Sequence, residues 1–266
     1  MTIADAGDHM MADGQELNRQ GFLASRNTAE IGDWYEALSN FMATDDSSPL
    51  LKTRSFALYS PRQTISDFLV RYELFKMVKD IPGAFLEFGV YNGQGLLSWA
   101  NFSAIQEPYH VTREIYGFDT FAGFSGVGER DKSDHPDVVR DGGYSIASYE
   151  RISRAIELFD QNRPIGHVKK IFLVPGDVKQ TLRPFLASNP HVVPALIYLD
   201  MDIYEPTRFV IEELLDRMPK GGIVAFDEFA HRSYPGETTA LMDVLPMKDI
   251  KLQRVPFCSR IAFFIR

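Results

Sequence analysis

Two stretches of the sequence, LIYLDMDIYEPT and GGIVAFDEFAH, end apolar runs in acids and so bring Asp200, Asp202, Asp227 and Glu228 to the ends of two predicted strands. In a parallel α/β sheet the carboxyl ends of neighbouring strands share one crevice, and ligands bind there. Carboxylates that close repel one another unless a cation sits among them, and oxygen-rich clusters suit Mg²⁺, Ca²⁺ or Mn²⁺. A metal is the simplest explanation, with Asp200, Asp227 and Glu228 as its ligands. Asp202 and Glu205 equally suit the N-cap or first turn of a following helix. No Cys/His spacing suggests zinc, and His231 reads as a pocket-edge residue.

A second constellation lies earlier. FLEFGVYNGQG joins a predicted strand to a predicted helix and sets Glu87, Gly89, Gly93 and Gly95 in the pattern E-x-G-x-x-x-G-x-G. Glycines there allow a tight turn and a close approach of backbone to ligand. Asp119 closes the next strand, IYGFD, where a carboxylate can accept from both ribose hydroxyls, and Asp177 ends a third, in VPGD, where it can accept from an adenine amino group. The competing reading is a tight turn whose glycines serve packing only. The strand-turn-helix context, Asp119 and Asp177 together favour a nucleoside cofactor. A dinucleotide would place pyrophosphate at the helix N-terminus, and Glu87, two residues before the first glycine, adds negative charge near that anion.

At these residues the chain resembles the class I S-adenosylmethionine-dependent methyltransferases. The combination of that loop with YGFDTFAGF, LDMDIYEPT, GGIVAFDEF and YPGET resembles more closely the TylF/MycF group, the macrocin-type sugar O-methyltransferases, from about Arg62 to the C-terminus. The resemblance implies S-adenosyl-L-methionine held by Glu87, Gly89, Tyr91, Gly93, Gly95, Asp119, Thr120, Asp177 and Asp200. It adds Arg62 and Thr64, in SPRQT, against the amino-acid moiety of the cofactor. It also implies Mg²⁺ on Asp200, Asp227 and Glu228, with Asp200 as general base and His231 as the alternative base. One departure stands out: many relatives carry two aspartates where this chain has Asp227–Glu228, and glutamate is longer by one methylene.

The expected reaction is a metal-dependent displacement in which a sugar hydroxyl, on a sugar nucleotide or a glycoside, attacks the sulfonium methyl in natural-product biosynthesis. Holding the two reactants in line can remove about 7–11 kcal/mol of barrier, and a metal-bound hydroxyl gives up its proton more readily. Two other readings stay open. A nicotinamide-dependent oxidoreductase would use the same glycine loop but leaves the acidic cluster without a task. A non-catalytic nucleoside- or metal-binding module would keep Asp119 and need no acceptor pocket.

The elements that must position these groups are legible as short unalternating apolar runs, AFLEFG, IYGFD, IFLVPGD, ALIYLD and GIVAFDE, with amphipathic helical stretches between them. Such runs fit strands buried on both faces of a parallel sheet. Before the first strand, QTISDFLVRYELFKMVK reads as a helix ending at the breaker pair Pro82–Gly83. At the end, KLQRVPF and RIAFFIR read as a hairpin on one sheet edge. The predicted fold is α/β, a Rossmann-like, mostly parallel sheet with helices on both faces and an antiparallel C-terminal strand.

Residues 59–266 form that domain, and 1–58 an N-terminal extension made of a polar, mobile arm and an amphipathic helix over 29–42. The apolar stripe of Trp34, Tyr35, Leu38 and Phe41 on that helix favours a homo-oligomer. Residues 126–145, charged and Gly-containing, read as a lid loop at the ligand-binding edge. A net charge of −8 disfavours nucleic-acid binding. No apolar run is long enough to span a membrane and no secretory signal pattern opens the chain, so the expected location is cytoplasmic. Cys258 has no intramolecular partner and reads as a buried structural thiol.

Overall fold

The structure, a computed structural model, describes residues 29–266 together with the two-residue strands Met11–Ala12 and Gln15–Glu16, which pair antiparallel. The polar arm expected at the start of the chain otherwise lies outside the described residues. Contacts divide the chain into residues 1–65 and 66–266.

In the first unit, helix α1 spans Ala29–Thr44 and α2 spans Pro49–Arg54. Helix α2 starts by rule: Ser48 caps it by accepting from the Leu51 N–H at 3.3 Å, and Pro49 occupies the first turn, where an N–H has no partner to lose. Lys52 Nζ donates to the carbonyls of Met42 and Asp45 at 2.9 and 2.7 Å, which fastens α2 to the end of α1. Of the expected apolar stripe on α1, Tyr35 is buried, whereas Trp34 and Phe41 are nearly half exposed.

Helix α3, Arg62–Val78, leads into the sheet. Its strands are β1 Ala84–Phe88, β2 Ile115–Asp119, β3 Ile171–Pro175, β4 Pro194–Leu199, β5 Ile223–Phe226 and β6 Ala262–Ile265. Their spatial order is β3-β2-β1-β4-β5-β6; the first five run parallel, and β6 returns antiparallel to β5. All five predicted parallel strands form where the apolar runs lie. The predicted terminal hairpin is thinner than expected: KLQRVPF contributes only one bridge, Gln253 to Phe263. Pro256 has no N–H to give a ladder, and the chain turns there instead.

Helices cover both faces. On one, α3, α4 (Gln94–Gln106) and α5 (Tyr149–Asn162) bring Leu74, Phe75, Trp99 and Ile152 onto Phe85, Leu196 and Phe263. On the other, α6 (Val178–Ser188), α7 (Tyr204–Leu214) and α8 (Gly236–Val244) bring Leu182, Val210, Leu214 and Leu241 onto Leu86, Phe88 and Phe226. Successive strand residues point to opposite faces, so Glu87 shares the α4 face with Phe85, and its carboxyl lies inside an apolar cluster. Among the described residues, no helix is long and apolar enough to cross a membrane.

Candidate active site

The chain reverses its direction of travel across the sheet between β1 and β4, which makes the crevice at their carboxyl ends the topological switch point where such sheets bind ligands. The backbone there is distinctive. After each of the five parallel strands the backbone enters the positive-φ region, at Tyr91, Phe121, Gly176, Asp202 and Ala230 among others. Four of these are not glycine, and such conformations persist only where the surroundings over-determine them.

The loop after β1 turns through Gly89 and Gly93, at φ 92° and 85°. Space matters as much as φ. A Cβ on Gly89 would lie 1.9 Å from the carbonyl oxygen of Asp200, and one on Gly95 would lie 2.3 Å from Glu87 Oε1. The glycines therefore fit the loop onto its own scaffold. Glu87 is 2% exposed, takes the Trp99 indole N–H on Oε2, and is pushed up to about 7 by burial, against the opposing pull of Arg71 and the Trp99 bond. It lies beneath α4 and supports the loop from below. Gly93 caps α4 without a side chain, and the Leu96 N–H in the first turn bonds the Glu87 carboxyl instead.

Asp119 grips the same loop. Its Oδ2 accepts the N–H groups of Val90 and Tyr91, both at 2.7 Å, and Oδ1 accepts that of Phe121 at 2.6 Å. A carboxylate offers about four acceptor positions, so one on Oδ1 remains for a hydroxyl donor. Thr120 is occupied in the turn that follows, donating to the Gly123 carbonyl at 2.6 Å. Asp177 caps α6 by accepting the Lys179 N–H at 2.9 Å, and Ser125 Oγ donates to its Oδ2 at 3.0 Å. Arg62 and Thr64 lie in the first turn of α3, within the first unit.

The acidic cluster assembles at the ends of β4 and β5, but its charge is balanced by residues that the sequence reading missed. Arg71, buried on α3, places Nη2 3.5 Å from Asp200 Oδ2 and 3.9 Å from Asp227 Oδ1, with its guanidinium 4.6 Å above the Tyr198 ring. Arg260, just before β6, bonds Asp227 Oδ2, reaches Asp67 Oδ1 at 2.9 Å and Glu228 Oε1 at 3.5 Å. Tyr198 donates its hydroxyl to Asp227 Oδ1. Both Asp227 oxygens are thus engaged, and its side chain is only 6% exposed. Asp200 differs: its side chain is 30% exposed, and burial followed by the neighbouring Asp202 charge push its carboxyl up to about 7. His231 Nδ1 lies 4.0 Å from Glu228 Oε2, and its ring packs on Tyr234.

Among the described residues no three His, Cys, Asp or Glu side chains are arranged to hold a metal ion. Asp200, Asp227 and Glu228 are oxygen donors of the right chemistry, but as placed they do not fit an ion, because guanidinium groups occupy the positions between them. Arg71 carried a signal: it sits four residues after Asp67 on a helix face otherwise made of Val70, Leu74 and Phe75. An arginine on a buried face needs an acid.

Residues 126–145 pack onto the strand ends. Asp131 Oδ1 accepts the Tyr204 N–H at 2.7 Å, Arg130 pairs with Asp243 at 3.0 Å, and the Tyr144 and Tyr234 hydroxyls meet at 2.8 Å. Val139, Ile203 and Tyr234 form a small cluster there with Phe124, Val127 and Tyr144.

Residues 70–245 match the sequence profile of the macrocin O-methyltransferase (TylF) family. Among solved structures, CalS11, a calicheamicin methyltransferase, is 31% identical with a TM-score of 0.86, over 95% of this chain and 97% of its own. Apo CalS11, described as a TDP-rhamnose 3'-O-methyltransferase of calicheamicin biosynthesis, is 30% identical with a TM-score of 0.77, over 90% and 95%. The O-methyltransferase NovP shares the fold at 20% identity and a TM-score of 0.58, over 74% and 78%. No curated protein sequence matches significantly.

Proposed function

Because the chain belongs to the TylF macrocin O-methyltransferase family, we propose that it methylates a hydroxyl of a deoxysugar in natural-product biosynthesis, on a sugar nucleotide or a glycoside, with Asp200 as base. The observation that carries this reading is the placement of Asp200. Its N–H donates to the Phe88 carbonyl at 2.8 Å, beside the glycine loop, and its side chain is partly open to the crevice while Asp227 is sealed.

S-adenosylmethionine supplies the electrophilic methyl when bound. The residues present suit it: Asp119 keeps an acceptor position for a ribose hydroxyl, Asp177 stands just past the end of β3 for the adenine, and the backbone from Gly89 through Tyr91 to Gly93 forms a wall on the β1 side of Asp119. Glu87 and Gly95 hold that wall in place from beneath, and Thr120 fixes the turn after Asp119. Asp200 takes the acceptor proton as the hydroxyl attacks, and His231 is the alternative base. A divalent cation on Asp200, Asp227 and Glu228 would have to displace Arg260, so no step is routed through one. The half-exposed Trp34 and Phe41 support a homo-oligomer, as surface a second copy would cover.

The test is titration calorimetry with S-adenosylhomocysteine and, separately, NAD⁺, on the wild type and Asp119→Ala, followed by an acceptor assay opened with TDP-rhamnose, the compound named for CalS11. We expect the homocysteine product alone to bind, weakened about 10–100-fold in Asp119→Ala by the loss of a charge-assisted hydrogen bond. Asp200→Asn should keep that affinity and lower turnover about 10²–10⁴-fold. Binding of NAD⁺ instead would refute the methyltransferase reading, and normal turnover in Asp200→Asn would remove it from catalysis.

A further inference from the structure

Glu237, in the first turn of α8, is 0% exposed and has no part in the mechanism above. Its Oε1 accepts the Asp202 N–H at 3.3 Å and its Oε2 accepts the Glu228 N–H at 3.2 Å. One buried carboxyl thus bridges the two loops that carry the acids of the site. We propose that Glu237 is a positioning residue for methyl transfer, which sets the spacing between the β4 end bearing Asp200 and the β5 end bearing Asp227 and Glu228. The proposal rests on the reading of Asp200 as base.

Three observations converge on it. First, the residue beside it can only be glycine: a Cβ on Gly236 would lie 2.5 Å from the Asp202 carbonyl oxygen, 2.6 Å from the Tyr204 nitrogen and 2.7 Å from Asp131 Oδ1. The start of α8 is therefore pressed against the β4–α7 turn and against Asp131 of the 126–145 segment. Second, Asp202 is held at φ 61°, a conformation that a non-glycine residue keeps only under constraint, and the Glu237 bond to its N–H supplies one. Third, both ties are N–H donors, so both ends of the Glu237 side chain must accept. A carboxyl can do this; a carboxamide, with one accepting and one donating end, cannot.

Glu237→Gln keeps the volume and breaks one tie, so it separates positioning from packing. Two readouts are needed on the full-length protein. The first is amide hydrogen exchange at Asp202 and Glu228, which requires no substrate; we expect about tenfold faster exchange at one or both, since losing a bond of ~1.4 kcal/mol has that effect. The second is methyl transfer in the acceptor assay described above. There we expect kcat to fall about 10–100-fold, in line with the cost of a small misplacement of reacting groups, while KM for S-adenosylmethionine and the melting temperature stay close to wild type. Unchanged exchange at both amides overturns the bridge. Faster exchange with unchanged kcat overturns the positioning role. A fall in kcat matched by loss of cofactor affinity or of the fold makes the residue merely structural. If the wild type transfers no methyl group, the functional reading fails while the exchange experiment still decides the bridge. Glu237→Asp, which is one methylene shorter, should reproduce the Gln phenotype if reach is what matters.

Discussion

Glu87→Gln tests the electrostatic account of the glycine loop most directly. The carboxyl is 2% exposed inside an apolar cluster and is raised from its ordinary 4.5 to about 7. Its folded-state pKa lies above its unfolded one, so the folded protein holds this proton more tightly. The associated stability is fully present below about pH 4.5 and is lost as pH rises through about 7. At about 1.4 kcal/mol per pH unit the whole effect is roughly 3 kcal/mol. The amide variant has no such titration. It does meet a fixed cost, since the Trp99 and Leu96 N–H groups both bond the carboxyl and an amide presents one donating end to them; that cost is about 1–3 kcal/mol at any pH. The signature is therefore a change in the gap. In urea unfolding, Glu87→Gln should be clearly less stable than wild type near pH 5, with the gap shrinking by about 3 kcal/mol by pH ~8.5. Titration calorimetry with S-adenosylhomocysteine should find its affinity changed less than about threefold, because the side chain faces the core. A gap that stays constant within ~0.5 kcal/mol would refute the raised pKa, and a large loss of affinity would put Glu87 against the ligand.

The arginines give two more predictions. Arg71→Met takes from Asp200 its ion-pair partner and from Asp227 one of its two, and removes the guanidinium from the Tyr198 ring; it should destabilise by about 3–5 kcal/mol, lowering the melting temperature by about 6–20 °C. A calorimetric shift under ~2 °C would show that the compensation lies elsewhere. Arg260→Gln frees Asp227 and Glu228 of a competing cation, so Mn²⁺ titration followed by electron paramagnetic resonance should find affinity raised about tenfold or more over wild type. Equal or weaker binding would mean that Arg260 does not stand where a metal would.

The strands were legible because each is an apolar run buried on both faces, a pattern set by local composition alone. The site was legible only as far as it hangs on strand ends. Asp119, Asp177, Asp200 and Asp227 follow directly from where the apolar runs stop. Arg71 and Arg260 do not: their partners lie 129 and 33 residues away, and no local period links them. The acids of the cluster are visible at the strand ends, whereas the guanidinium groups that pair with them are set by tertiary contacts that no local pattern announces. Helix α8 went unread for a related reason. It is only nine residues long, and its decisive residues, Gly236 and Glu237, face the β4–α7 turn and the β5 end.

The spacing of the glycine motif has a mechanical origin that joins the two halves of the site. Gly89 has no side chain because the Asp200 carbonyl stands where its Cβ would be, and the Asp200 N–H closes onto the Phe88 carbonyl one residue earlier. The glycine loop and the strand end that carries Asp200 are thus locked together through backbone atoms. Asp119 makes the same kind of link on the other side, holding the Val90 and Tyr91 amides from the end of β2. Under the proposed function, the methyl donor and the base inherit a fixed separation from the sheet itself, which is the condition for an in-line displacement. The motif E-x-G-x-x-x-G-x-G is in this sense a joint between strands first, and its capacity to take a ligand follows from how rigidly that joint is made.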